Sequence, residues 1–115
     1  MKSAVFGWAA FIGLTTKRSF LFMKTKLFNE ILDKVAEVTE IDSDNILHSN
    51  KEECTDARYI LIQLLFKMGF TDTEVSERMG CSRQSVNYAK NHFEERLGKW
   101  SVRTNYREVK ETLSV

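Results

Sequence analysis

The chain has no proline and only five glycines among its 115 residues. Sheet-rich folds with many tight turns usually carry more of both, so this composition favours helices. The two cysteines, Cys54 and Cys81, are too few for a disulfide framework and indicate a reducing compartment or simple burial. Apolar residues (43%) and charged residues (29%) are near the globular average, which argues against wholesale disorder and against several membrane spans. The length suits one domain.

The N-terminal apolar run, residues 4–14, is shorter than the roughly 20 residues that a membrane-spanning helix needs. No small-x-small cleavage pattern follows it, as a secretion signal would require. Three interpretations of residues 1–22 stay open: a false start or flexible extension before a true start at Met23, a signal-like or membrane segment, or an additional packed helix. We expect an N-terminal extension over 1–22, which can be deleted without loss of folding, and one cytoplasmic domain over 23–115.

The net charge of +1 conceals an uneven distribution. Residues 23–77 carry 6 basic and 12 acidic side chains, whereas residues 78–115 carry 8 basic and 4 acidic ones. A basic block at one end of a nearly neutral chain favours an anionic partner for that end, although such a block is more often only a solvated face.

Helical periodicity begins after Met23. Apolar residues recur at spacings of three and four from Leu27 to Val38, which predicts an amphipathic helix over about 24–40. The polar stretch from Asp42 supplies caps for a short helical turn through Ile46 and Leu47.

A loop over residues 48–53 separates this turn from the next helix in our prediction. Thr55 or Asp56 is the expected cap of a long helix that ends at Met68 and is apolar on nearly every face. Such a helix is typically buried at the centre of a bundle. Gly69 follows it, as a C-terminal glycine does.

The most specific pattern follows Gly69. Thr71 and Glu74 form a capping box for a short helix over 72–79, Gly80 ends that helix, and Ser82 caps a longer helix over 83–97. Small or apolar residues occupy the positions that fix the two helices of a helix-turn-helix motif. These residues are Val75, Ser76, Met79, Cys81, Val86 and Ala89.

The outward face of the second helix is polar rather than merely charged. Arginine can bind guanine through two hydrogen bonds, and glutamine or asparagine can bind adenine in the same way. We predict that Arg83, Gln84, Asn87 and Tyr88 read bases, and that Ser82, Ser85 and Lys90 contact the DNA backbone, with Asn91 on the same face. An ordinary pair of packed helices in a bundle is the plainer interpretation.

The stretch from Phe28 to Leu97 resembles the C-terminal DNA-binding domain of the bacterial replication initiator DnaA, within the Trp-repressor-like helix-turn-helix superfamily. The resemblance rests on residues 31–36, the turn over 44–47, the long helix from Ala57 to Met68 and the motif after it. It implies an all-helical fold and a role in replication-origin-type or transcriptional control.

Some family features are missing. The initiator has two glycines and then an Arg-Asp-His-Thr-Thr-Val run; here Gly80 stands alone, and only Ser85 and Val86 match that run plausibly. The loop before the long helix is basic in the initiator but acidic here, at Glu52 and Glu53, and no Gly-rich phosphate loop is present. The fold therefore carries over better than the origin specificity.

The C-terminal segment predicts a last short helix. Asn105 and Glu108 suggest a second capping box that opens it, and it runs through Leu113. Residues expected to pack back onto the domain are Trp100, Tyr106, Val109 and Leu113. Cations that either contact DNA phosphates or are simply solvated are Lys99, Arg103, Arg107 and Lys110.

Metal and enzyme chemistry find little support in the sequence. The strong nitrogen and sulfur ligands are His48, Cys54, Cys81 and His92, and their spacings match no zinc pattern. We expect no metal, no cofactor, no small-molecule substrate and no enzymatic activity.

The sequence therefore predicts an all-α, compact helical bundle that contains a helix-turn-helix and binds double-stranded DNA in a sequence-specific way. A single such domain buries a modest DNA interface, which favours a homodimer or a larger nucleoprotein complex. The alternative is a helical protein-interaction or dimerisation module without DNA readout, which uses the acidic residues 23–77. A third possibility is a membrane-tethered version that uses residues 1–22.

Overall fold

Seven α-helices make up the part of the chain that the computed structural model describes, residues 16–114 with side chains from residue 21. The predicted all-α bundle is confirmed. The helices are α1 Thr16–Thr39, α2 Ser43–His48, α3 Glu52–Lys67, α4 Asp72–Met79, α5 Arg83–Asn91, α6 Phe93–Arg96 and α7 Trp100–Leu113.

Helix α3 forms the centre of the bundle and contacts each of the other six helices. Its buried residues cover most of its circumference, and Leu61, Leu64 and Leu65 are fully enclosed. The predicted start at Thr55 or Asp56 is wrong, because the helix begins at Glu52 without a side-chain cap. Two carboxylates in the first turn instead complement the helix dipole.

Helix α1 lies against α3 and α7 and contributes the predicted stripe. Ile31 and Val35 are fully buried, and Phe28 and Leu32 nearly so. The helix begins at Thr16, well before the predicted start near residue 24, so part of the expected extension is helical. It ends at Thr39, and the next residue, Glu40, has a left-handed φ of 59°. The predicted interpretations of residues 1–15 lie outside the described residues.

The C-terminal third differs from the sequence prediction in three places. The helix predicted over 83–97 is two helices, because the backbone at His92 (φ −108°, ψ 10°) interrupts it. The predicted capping box at Asn105 is wrong, because α7 already begins at Trp100 and carries Asn105 in its interior. Trp100 is 71% exposed rather than packed, whereas Tyr106 and Val109 are buried as predicted.

Candidate nucleic-acid interface

The geometry of α4 and α5 follows from local sequence. Thr71 accepts a hydrogen bond from the amide of Glu74 (3.2 Å), and the Glu74 carboxylate accepts one from the amide of Thr71 (2.9 Å). This is the predicted capping box, and it sets the start of α4. Ser82 in turn accepts from the amide of Ser85 (3.1 Å) and caps α5.

A single glycine makes the turn between the two helices. Gly80 has φ 70° and ψ 32°, a left-handed conformation that residues with a side chain adopt only with strain. The amide of Cys81 then donates to the carbonyl of Ser76 (3.1 Å), which closes the end of α4. Burial raises the pKa of the Cys81 thiol, so this side chain remains uncharged beside the turn.

The faces of α4 and α5 that meet are closely packed. Val75, Met79, Val86 and Ala89 are at most 3% exposed, and Ser76, which is small, is the buried polar residue at the crossing. Ser76 satisfies its hydroxyl by donating to the carbonyl of Thr73 (2.9 Å). The motif that the sequence predicted is thus assembled, and α5 is held rigidly by its inner face.

Seven of the eight predicted site residues are exposed on α5 or at its cap, and the eighth, Asn87, is half-buried. Helix α5 contains no aspartate or glutamate between Arg83 and Asn91. Within the described part of the chain, the side chains of Gln84 and Asn91 make no hydrogen bond. Their amides are therefore available to an external partner.

Two of the predicted base-reading residues share one protein partner. Oδ2 of Asp72 accepts from Nη2 of Arg83 and from Nδ2 of Asn87, both at 3.2 Å. The hydrogen bond from Asn87, and then the one from Arg83, lower the pKa of Asp72 below its usual value. The sequence gives no sign of this role of Asp72, because it is the first residue of α4 and its distance to α5 depends on the angle at which the two helices cross.

The side chains of Tyr88 and Lys90 each contact the ring of another residue. Tyr88 stacks on His92 with 3.8 Å between ring centroids, and the carbonyl of Tyr88 lies 2.8 Å from Nδ1 of His92. Nζ of Lys90 lies 4.8 Å from the centre of the Phe66 ring. Tyr88 nevertheless leaves 57% of its surface exposed, so its ring is accessible at the surface of α5.

A groove of about 680 Å³ separates α5 from the loop between α2 and α3. Arg58 on α3 shapes one wall, because it donates to the carbonyls of Ile46 (2.8 Å) and Ser49 and so holds that loop in place. The polar groups along the groove include His48, Asn50, Gln84 and Ser85. The sequence gives no sign of this role of Arg58, because its contacts with Ile46 and Ser49 depend on how α3 packs against the preceding segment.

The cations of the C-terminal segment are largely engaged within the molecule. Nζ of Lys99 pairs with Glu52 and with Asp56 (3.1 Å). The hydrogen bond with Lys99 lowers the pKa of Glu52, and the same contact raises the pKa of Lys99. Arg103 donates to the carbonyl of Leu97 (3.0 Å).

The last two of these cations differ from each other. Nζ of Lys110 lies 4.8 Å from the centre of the Tyr106 ring. Arg107 is exposed and has no ion pair or side-chain hydrogen bond to any residue between 21 and 114. Among the four predicted phosphate contacts, Arg107 is therefore the side chain most available to a polyanion.

Neither a cluster of metal-binding side chains nor a membrane-spanning helix occurs among the described residues. No group of three or more histidine, cysteine, aspartate or glutamate side chains between residues 21 and 114 is arranged to hold a metal ion. Over 16–114, no helix combines the length and the apolar character that crossing a bilayer requires.

Comparisons of the chain with protein-family models, with curated proteins and with solved structures gave no significant match.

Proposed function

We propose that this chain binds double-stranded DNA in a sequence-specific way, with the N-terminal half of α5 in the major groove. The observation that carries the proposal is the outer face of α5, which exposes Arg83, Gln84 and Tyr88 and contains no carboxylate. A helix that is merely solvated more often carries a mixture of glutamate and lysine. Guanidinium and amide groups are the chemistry that reads base edges in the major groove.

The site residues take separate roles in this proposal. Arg83, Gln84 and Asn87 contact base edges, because their side chains project from the first two turns of α5. The backbone contacts come from Ser82, Ser85 and Lys90, with Asn91 at the end of the face. The N-terminus of α5 adds a partial positive charge, which favours a phosphate.

The wider biological role follows from the resemblance to the initiator domain and is proposed on that basis: control of replication at an origin-type site or control of transcription. We propose neither a cofactor nor a small-molecule substrate, and no enzymatic activity. A homodimer or a larger nucleoprotein complex is the expected working form, because one domain of this size buries a modest DNA interface.

A protein-interaction module is the second candidate. One observation favours it: Leu21, Phe22 and Met23 on α1 are 46–68% exposed, and Phe22 and Met23 line a groove together with Leu27 and Met68. Exposed apolar patches often mark contacts with other proteins. This candidate predicts binding without any preferred DNA sequence.

Selection of bound duplexes from a random pool at near-physiological salt tests the DNA proposal directly. We expect a defined preferred sequence. Gln84→Ala should weaken binding to that sequence about fivefold or more, since a bidentate base contact is worth about 1–3 kcal/mol, and should change binding to scrambled duplexes little.

Asn29→Ala is the matched control, because it removes an exposed amide from α1 without changing the charge. We expect it to leave both affinities unchanged. Recovery of no preferred sequence, or an equal loss on preferred and scrambled duplexes for Gln84→Ala, would refute α5 as a recognition helix and favour the interaction module.

A further inference from the structure

Asp72 is fixed relative to α5 by the packing of the helix-turn-helix. It is the first residue of α4, one position after the cap Thr71, and the buried Val75 lies one turn further along the same helix, which packs against α5. Its Oδ2 atom accepts hydrogen bonds from the side chains of Arg83 and Asn87, both at 3.2 Å. One carboxylate oxygen therefore bridges two positions of α5 that are one helical turn apart, the exposed Arg83 and the half-buried Asn87.

The contact with Asp72 defines which way the Asn87 amide points. An unrestrained asparagine amide can rotate and exchange its oxygen and nitrogen, but only the NH₂ group can donate to a carboxylate. One Nδ2 hydrogen is used by Asp72, which leaves the second hydrogen and the Oδ1 oxygen. Those two groups are the donor and acceptor that adenine requires in the major groove.

Arg83 keeps most of its N–H donors available for DNA while Asp72 binds it. Its guanidinium has five N–H groups, of which Asp72 takes one, and its side chain is 64% exposed. A guanidinium that is already oriented loses less side-chain entropy when it binds guanine. The ion pair is therefore compatible with base contact by the remaining N–H groups.

The spacing of the two residues relates them to neighbouring base pairs. Four residues of helix rise about 6 Å, and base pairs are stacked about 3.4 Å apart. Resting on the proposed function of α5, we infer that Asp72 is a positioning residue that sets specificity: it holds Arg83 and Asn87 so that they read a guanine and an adenine within two base pairs of each other.

A charge effect would be the simpler role of Asp72, because any carboxylate near DNA repels phosphates. Three variants separate the two roles. Asp72→Glu keeps the charge but moves the carboxylate, Asp72→Ala removes both, and Glu77→Gln removes a charge from an exposed position of the same helix. The capping box of Thr71 and Glu74 is untouched in all three, so α4 keeps its start.

Fluorescence anisotropy on the preferred and scrambled duplexes gives the ratio of the two dissociation constants. We expect this ratio to fall about tenfold in Asp72→Glu and in Asp72→Ala, in line with the loss of one bidentate contact. Glu77→Gln should strengthen binding to both duplexes by the same factor and leave the ratio unchanged. Repeating the duplex selection with Asp72→Ala should relax the preference at two positions no more than two base pairs apart.

Two results would overturn the positioning role and leave α5 as a recognition helix. One is a ratio of dissociation constants in Asp72→Glu equal to that of the wild type. The other is a sequence preference in Asp72→Ala that is relaxed over the whole site. Absence of any preferred duplex for the wild-type chain would instead overturn the proposed function itself. The side-chain amide resonances of Asn87 provide a readout without DNA: Asp72→Ala should shift them and Glu77→Gln should not. Resonances that stay unchanged in Asp72→Ala would also overturn the inference.

Discussion

Lys24 on α1 and Glu74 on α4 form an ion pair, with 2.9 Å between Nζ and Oε1, at the carboxylate that also completes the capping box. Nζ of Lys24 donates to the carbonyl of Gly69 as well (3.0 Å). The two side chains are only 12% and 21% exposed. The first helix of the domain is thereby connected to the first residues of the helix-turn-helix.

Substitutions at Glu74 should separate the ion pair from the cap. Glu74→Gln retains an oxygen for the amide of Thr71 but loses the charge, so we expect a loss of at most about 1 kcal/mol in the free energy of unfolding. Glu74→Ala removes both interactions and should cost about 1 kcal/mol more. Urea denaturation at pH 7 measures these differences, with Glu77→Gln as an exposed control on the same helix. Identical midpoints for all of them would show that the contact contributes nothing.

The contribution of Glu74 should also depend on pH. The hydrogen bond from Lys24, and then that from the amide of Thr71, hold the pKa of Glu74 below its usual value of 4.5 in the folded protein. A lowered folded pKa means that the stabilisation is complete above the unfolded value and disappears as the pH falls through the folded one. The stability difference between wild type and Glu74→Gln should therefore shrink below about pH 4.5. A difference that grows on acidification would contradict this assignment.

Val86 provides a test of the buried contact between α4 and α5. Its side chain is fully enclosed, so Val86→Asp would leave an unpaired charge between two helices and should unfold the motif, at a cost of about 3 kcal/mol or more. Asn91→Asp introduces the same group at an exposed position of α5 and should leave the melting temperature within a few degrees of wild type. Circular dichroism melting measures both; an unchanged melt for Val86→Asp would mean that the register of α5 is wrong.

Local patterns in the sequence predicted the helix-turn-helix well. The capping box at Thr71, the turn at Gly80 and the cap at Ser82 all form as expected, because each depends on residues within four positions of one another. The apolar spacing of α1 likewise located Ile31 and Val35 in the core.

Features that depend on packing between distant segments were not predictable in the same way. Asp56 resembles a helix cap in the sequence. Its carboxylate instead accepts a hydrogen bond (2.5 Å) from Arg96, which lies 40 positions away in the chain. Asn105 resembles a cap as well, yet it lies within α7, which begins at Trp100. Candidate caps are recognised by residue type and local spacing, so the sequence does not distinguish a cap from a polar residue that lies inside a helix or serves a tertiary contact.

The start of α1 leads to a prediction for truncated chains. The sequence predicts that a chain without residues 1–22 folds as well as the full one, but α1 begins at Thr16, and Arg78 donates to the carbonyl of Leu21 (3.4 Å). Deleting 1–22 would place Lys24 in a fraying first turn and weaken its pair with Glu74. The structure instead predicts that this truncation melts several degrees below a chain that lacks only residues 1–15. Equal melting temperatures would show that the first turns of α1 add nothing.

Lys99 and Arg107 should respond differently when each is replaced by alanine. From the sequence, both were expected to contact phosphates or to be solvated. Lys99 is paired with Glu52 and Asp56, so Lys99→Ala should lower the melting temperature and leave the salt dependence of DNA binding nearly unchanged. Arg107→Ala should keep the melting temperature, because the Arg107 side chain is exposed and has no polar partner among residues 21–114.

Salt titrations of anisotropy on a scrambled duplex distinguish these outcomes. Each phosphate contact that is lost should flatten the plot of log K against log salt concentration by about one unit. We expect this change for Arg107→Ala and not for Gln84→Ala, which removes no charge and serves as the control. An unchanged slope for Arg107→Ala would place α7 outside the DNA interface, and a flattened slope for Lys99→Ala would mean that DNA displaces its two carboxylate partners.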